Sequence, residues 1–210
     1  MRDERNFDVE EIQTKRINIV DENGTRRLAI FNGSGLPKGT IDGKEIDQRE
    51  GNNNGVAGLM FYNQDGDECG ALVYGNQGAA LLFDQYKQDQ IVGMTYDEEN
   101  GKRQYGLNIW ERPNVPLSEF AELVIPIMNM EDGPEKQEEW RKLEEQGLTA
   151  SQRMFTGRTQ DGAITVALAD KKGKTRLRMT VDMSDNPKIE FLNSQGQVVY
   201  QLPPDGVEMD

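Results

Sequence analysis

Apolar and polar residues alternate along this chain in short runs, and the runs break at one kind of turn. The unit is apolar–x–apolar–x–Asp/Asn–x–x–Gly, followed by a second alternating run. Ile17, Ile19, Asp21 and Gly24 fit it, as do Leu59, Phe61, Asn63 and Gly66. Val166, Leu168, Asp170 and Gly173 fit, and so do Ile189, Phe191, Asn193 and Gly196. At the sixth position after each glycine the apolar residues resume, at Ile30, Leu72, Met179 and Leu202. Alternation with period two places one face of a strand in the core. The Asp or Asn hydrogen-bonds nearby backbone in its own turn, and the glycine supplies the positive φ of a tight hairpin or its bulge.

Residues 59–74 align with 81–96 at a shift of 22, with Gln88 where the turn glycine would stand. Another turn at Asp97–Gly101 leads into Tyr105, Leu107 and Ile109. Residues 57–110 are therefore expected to form a meander of about five strands, and 153–202 a second of about five. Between them the spacing becomes helical. Leu117, Phe120, Ala121, Val124 and Met128 share a helix face, with Ser118 as N-cap and Pro126 keeping the helix short or kinked. A second helix starts at Asp132, Pro134 and Glu135 and stops at Gly147, with Trp140 and Leu143 as its apolar anchors. The segment 33–56 is rich in Gly and Asn and reads as a long loop, with a short strand near Thr40 and Ile41.

The fold class expected is mainly β: two antiparallel meanders, sandwich or barrel-like, joined by a short helical connector. The domain division is 1–112, a connector at 113–149, and 150–210, the last packing with the first as one domain or standing beside it.

Composition narrows the function classes. Only 35% of the residues are hydrophobic, and the net charge is −13. Such a chain repels a phosphate backbone unless it segregates a basic face. The densest basic stretch, Lys171, Lys172, Lys174, Arg176 and Arg178, falls at a hairpin turn and strand edge, where lysines guard against aggregation. No nucleic-acid partner is expected. With no histidine and one cysteine, Cys69, the triads, His- or Cys-ligated zinc and dithiol redox chemistry all drop out. No catalytic residue, metal site or cofactor is assigned. No apolar run approaches the length of a membrane span. The N-terminus Met1-Arg2-Asp3-Glu4-Arg5 lacks an apolar signal region, so the chain as given reads as cytoplasmic, or as exported or anchored if a leader was removed.

Gly33–Thr40 has the composition of a phosphate loop but the wrong order, since Lys38 precedes Gly39. Asn63–Glu68 has the composition of a calcium loop, but Phe61 occupies the position that needs a carboxylate. The densest polar stretch is the tip Phe83–Gln90. There Asp84, Gln85, Tyr86, Gln88 and Asp89 form a candidate ligand-binding tip anchored by Tyr86, weighed against a hairpin loop whose polar groups satisfy one another. The 37 acidic side chains also leave open an acid–base pair of the glycosidase kind, which is defined by separation in space.

Taken together, Arg16–Val20 before Gly24, Gly43–Ile46, Gly58–Asn63, Phe83–Tyr86 and Phe191–Asn193 before Gly196 resemble a family of uncharacterised bacterial β-rich proteins. The resemblance runs from about residue 9 to 203. It implies a bacterial origin and no particular activity, and some members carry an N-terminal export or membrane leader. The function expected is a non-catalytic structural or interaction module that self-associates. The alternatives are a small-molecule-binding β-barrel or sandwich and a carboxylate-based hydrolase.

Overall fold

The computed structural model describes residues 8–46 and 55–204. The strands are β1 (Arg16–Val20), β2 (Arg26–Phe31), β3 (Gly39–Ile41), β4 (Lys44–Ile46), β5 (Ala57–Tyr62), β6 (Glu68–Tyr74) and β7 (Gly78–Asp84). They continue as β8 (Gln90–Glu99), β9 (Lys102–Glu111), β10 (Ser151–Arg158), β11 (Ile164–Ala169), β12 (Thr175–Val181), β13 (Pro187–Leu192) and β14 (Val198–Leu202). Two helices, α1 (Leu117–Met128) and α2 (Pro134–Glu145), lie between β9 and β10.

The protein is mainly β, as its patterning predicts. The two meanders are joined edge to edge, because β9 pairs with β10 across the helical connector. The result is one twelve-stranded antiparallel sheet in the order β1-β2-β5-β6-β7-β8-β9-β10-β11-β12-β13-β14, with β3 and β4 as a separate hairpin. The sheet is not closed, which removes the barrel option.

Repeated turns set the register. At Asp21, Asn63, Gln85, Thr159, Asp170, Asp182 and Asn193 the same backbone pattern recurs. The first residue's N–H donates to the carbonyl of the fifth, and the N–H of the fourth donates to the carbonyl of the first. At Asp21, Asn63, Asp170, Asp182 and Asn193 the side-chain Oδ1 also accepts the N–H groups of the third and fifth residues. The sequence repeat shows four of these seven turns directly. At the tip 85–88 the positive φ falls on Lys87, at 54°, so Gln88 does not stand in for the turn glycine.

Identical turns produce aligned rows. The first apolar residue of each repeat pairs with the one that resumes after the glycine: Ile17 with Ile30, Leu59 with Leu72, Val166 with Met179 and Ile189 with Leu202. Between the repeats the row is carried by Leu81, Met94, Leu107 and Thr156, so it crosses all twelve strands. A second row on the same face runs from Ile19 through Phe61, Val92 and Leu168 to Tyr200. A third runs from Ala57 through Tyr74, Tyr96, Tyr105 and Arg158 to Val181. We call this face A.

Alternation predicts that face A is the core face. Burial is the reverse. In the first two rows Gly70 is the only buried residue, whereas Ala29, Phe31, Met60, Tyr62, Ala71, Phe155 and Leu192, all pointing to the opposite face B, are buried. The cause is what lies over each face. The segment after β2 folds back over face B, where Leu36 and Val56 pack on the cluster Ala29, Phe31, Met60, Tyr62 and Ala71. Pro37 in that segment is fully buried, so 33–46 is a packed cover where a long loop is expected, and the short strand expected near Thr40 and Ile41 is β3, one half of the hairpin β3–β4. The Asn-rich run 51–54 lies outside the described residues. Further along, face B is floored by small residues that let strands approach. A Cβ at Gly157 would lie 2.1 Å from the Tyr105 carbonyl oxygen.

The helices form their own small core of Val124, Ile127 and Leu143, with Phe120, Met130, Trp140 and Leu148 against it. Trp110 instead lies across Gly93. The helix starts differ from expectation: the N-caps are Pro116 and Gly133, without side-chain caps. Ser118 sits inside α1, and Asp132 pairs with Lys136. The end of α2 follows the sequence. Gly147 has φ 71°, its N–H donates to Glu144 and that of Leu148 to Leu143, which closes the last turn. Among the described residues no helix is long and apolar enough to cross a membrane.

Candidate functional site

Two features of the fold are candidates: the polar tip between β7 and β8, and face A.

The tip gathers the sequence-predicted residues with others that come from far along the chain. Tyr86 is exposed and donates its hydroxyl hydrogen to Asp65 Oδ2 at 2.8 Å, which raises the pKa of the phenol above its ordinary value. Lys87 Nζ is 3.2 Å from Asp42 Oδ1. Hydrogen bonds from Ser118 and then Lys87 hold the Asp42 carboxyl below its usual range. Gln88 is buried and donates from Nε2 to the Val115 carbonyl at 2.8 Å, while Leu117 N–H donates to the Lys87 carbonyl at 2.7 Å. Asp67, also buried, accepts the Gly43 N–H at 2.7 Å, and Thr40 Oγ1 accepts the Glu68 N–H at 2.9 Å. The tip thus joins the hairpin β3–β4, the turn 63–67 and the start of α1. Gln85 supplies its backbone to the turn, its N–H donating to the Asp89 carbonyl.

Asp84 stands apart. It precedes the turn, at the register shift between Phe83 and Asp84. The residues at equivalent shifts are Val20, Tyr62, Ala169 and Leu192. Asp84 is therefore a carboxylate at an otherwise apolar position of the repeat, a signal present in the sequence. Its Oδ1 is buried without a hydrogen-bond partner. Burial first, then the charges of Glu68 and Asp89, push its pKa to about 7, with Arg112 partly opposing. Arg112 is held elsewhere, donating from Nε to the Gln90 carbonyl at 2.7 Å and pairing with Asp89 at 3.3 Å. Burial, and then Asp84, also raise the Cys69 thiol.

A raised carboxylic acid near two other acidic residues has the ingredients of acid–base chemistry. The hollow beside the tip, lined by Thr40, Asp42, Asp67, Lys87, Gln88 and Ser118 among others, holds about 20 Å³, the space of one water. Ligand pockets are some fifteen times larger or more. The tip's polar groups mostly satisfy one another, so its geometry is that of a clasp. Among the described residues no group of His, Cys, Asp and Glu is arranged to hold a metal ion.

The basic stretch is partly neutralised: Arg176 pairs with Asp170, and Arg178 with the buried Glu190 at 2.6 Å.

Face A is the larger feature. Ile30, Leu72, Phe83, Met94, Leu168, Met179, Phe191 and Leu202 are each 40–60% exposed on it. The signal for the face is in the sequence; its exposure is not. No family model matches this chain, and no curated protein matches it.

Proposed function

We propose that this chain is a non-catalytic structural or interaction module that associates with copies of itself. The observation that carries the reading is the surface left open. The chain has 14932 Å² of accessible surface, where a compact monomer of 23.7 kDa exposes about 9,800 Å². Granting every residue outside the described ranges the exposure of an unfolded chain accounts for only about 3,400 Å² of the difference. An excess of about 1,700 Å² remains, roughly twice the 800 Å² that one partner gives to a standard protein–protein interface. Apolar side chains supply much of it, and burying them against another subunit is how a lean core is supplemented.

Sedimentation equilibrium at micromolar concentration tests the reading. The expected result is a mass that is a multiple of the chain's, with a melting temperature that falls on dilution. A monomer mass with concentration-independent melting overturns it.

A second reading, small-molecule binding, draws on one observation. A hollow of about 470 Å³ on face A is lined by Ile164, Val166, Met179, Val181, Ile189 and Leu202, with few polar groups. Its volume suits a small apolar ligand. Saturable binding of an apolar fluorescent probe by the folded monomer supports this reading, and its absence removes it.

A further inference from the structure

We infer that face A is the surface on which two copies of this chain meet, the apolar rows of one lying on those of the other; this rests on the self-association proposed above. The area fits. Twelve strands at about 4.8 Å spacing and three rows of side chains give a face of about 55 by 17 Å, on the order of 900 Å². A standard interface takes about 800 Å² from each partner. One such face accounts for about half of the surface the single chain leaves in excess.

The chemistry fits a copy better than other occupants. Neither of the first two rows contains a charged side chain; Thr156 and Tyr200 are their only polar members. The third row adds Arg158. The acidic charge of the chain therefore stays out of the centre of a face-to-face contact, whereas an anionic lipid surface would meet the acidic turns at the sheet's rim. An isologous contact needs a patch that fits itself. Evenly spaced rows do so, because the rows of one sheet settle between those of its copy at about 10 Å separation.

The contact has a centre. Row one passes from Met94 on β8 to Leu107 on β9, the sixth and seventh of the twelve strands. Met94 is 60% exposed, more than any other residue of the two rows. An adaptable side chain at the middle of a face is where binding energy concentrates.

The experiment compares wild type, Met94→Asp and Met183→Asp by sedimentation equilibrium, with circular dichroism to report folding. Met183 is 70% exposed in the turn 182–185, beyond the end of β12 and outside the first two rows. Met94→Asp is expected to raise the dimer Kd at least about a hundredfold, since two carboxylates would be buried unpaired; Met183→Asp leaves it within about threefold. A second measurement needs only wild type. Under hydroxyl-radical oxidation Met94 and Met179 are protected above the dimer Kd and exposed below it, while Met128 and Met183 react equally at both. If Met94→Asp does not fold, this measurement decides. A wild-type dimer in which Met94→Asp still pairs and Met94 is not protected overturns face A as the contact and leaves self-association standing. A wild type that stays monomeric overturns both. A monomer that co-floats with phosphatidylcholine vesicles gives the face to lipid and overturns the inference.

Discussion

Asp67 accepts the backbone N–H of Gly43 at 2.7 Å, joining residues 24 apart in the chain. The carboxylate is buried in the turn between β5 and β6, and Gly43 is at the tip of β3–β4. This bond pins the cover segment over face B, at the larger of the two buried clusters among the described residues. Asp67→Ala is expected to lose about 2 kcal/mol, the worth of a hydrogen bond to a charged group, read as a fall of about 5 °C in melting temperature. Asp65→Ala, at an exposed neighbour, should lose no more than about 0.5 kcal/mol. Equal effects would show that Asp67 does not hold the cover.

Asp84 makes stability depend on pH in an unusual direction. Its pKa is about 7 in the folded chain and about 3.9 in the unfolded one. Between these values the folded state keeps a proton that the unfolded state has lost. Stability therefore falls as pH rises from about 4 to 7, then levels. Asp84→Asn should remove this slope. At pH 8 it should exceed wild type by on the order of 1–2 kcal/mol, discounted for the group's partial exposure, and at pH 4 it should match it. Urea unfolding at both pH values checks this, and parallel curves for the two proteins would rule out a buried, proton-holding Asp84.

Asp185 has φ 62° at a turn position where Gly24, Gly66, Gly173 and Gly196 stand in the matching turns. Asp185→Gly should stabilise by roughly 0.5–1 kcal/mol, because a side chain in the left-handed region is strained. The check is a higher urea midpoint at unchanged slope. Asp182→Gly, which removes the acceptor for the Ser184 and Asn186 N–H groups, should go the other way by about 1 kcal/mol.

Gly157 and Gly106 face each other where β10 meets β9, the seam between the two meanders. A Cβ at Gly157 would lie 2.1 Å from the Tyr105 carbonyl oxygen and 2.5 Å from Gly106 Cα. Gly157→Ala should cost at least about 3 kcal/mol, because only backbone can give way. Amide exchange should show β9 and β10 losing protection first. Gly55→Ala, where a Cβ meets nothing within 4 Å, should change stability by less than about 0.5 kcal/mol.

Hairpins were legible from the sequence because their causes are local. An Asp such as Asp170 captures the N–H groups two and four residues on, Gly173 supplies φ 74°, and the flanking alternation has period two. The end of α2 at Gly147 was legible for the same reason. The helix starts were not, because Ser118 and Asp132 found partners, Asp42 and Lys136, that compete with capping. At the candidate tip, Asp84, Gln85, Tyr86, Gln88 and Asp89 stood out by composition. The partners Asp65 of Tyr86, Val115 of Gln88 and Arg112 of Asp89 come from other segments, and only those partners distinguish a clasp from an open ligand site.

The sequence by itself determined the strands, the turns between them and the two sets of side chains that alternate along each strand. Period-two patterning and turn chemistry act within a few residues, so they need no knowledge of the rest of the chain. Only the tertiary structure decided that β9 and β10 join the meanders into one sheet, and which face is covered. From β2 to β6 the Ile30–Leu59–Leu72 row and the Ala29–Met60–Ala71 row are both apolar enough to be core. Face B is buried there because Leu36 and Val56 pack back onto it. Burial depends on which segment returns to which face, and that is a property of the whole chain's path.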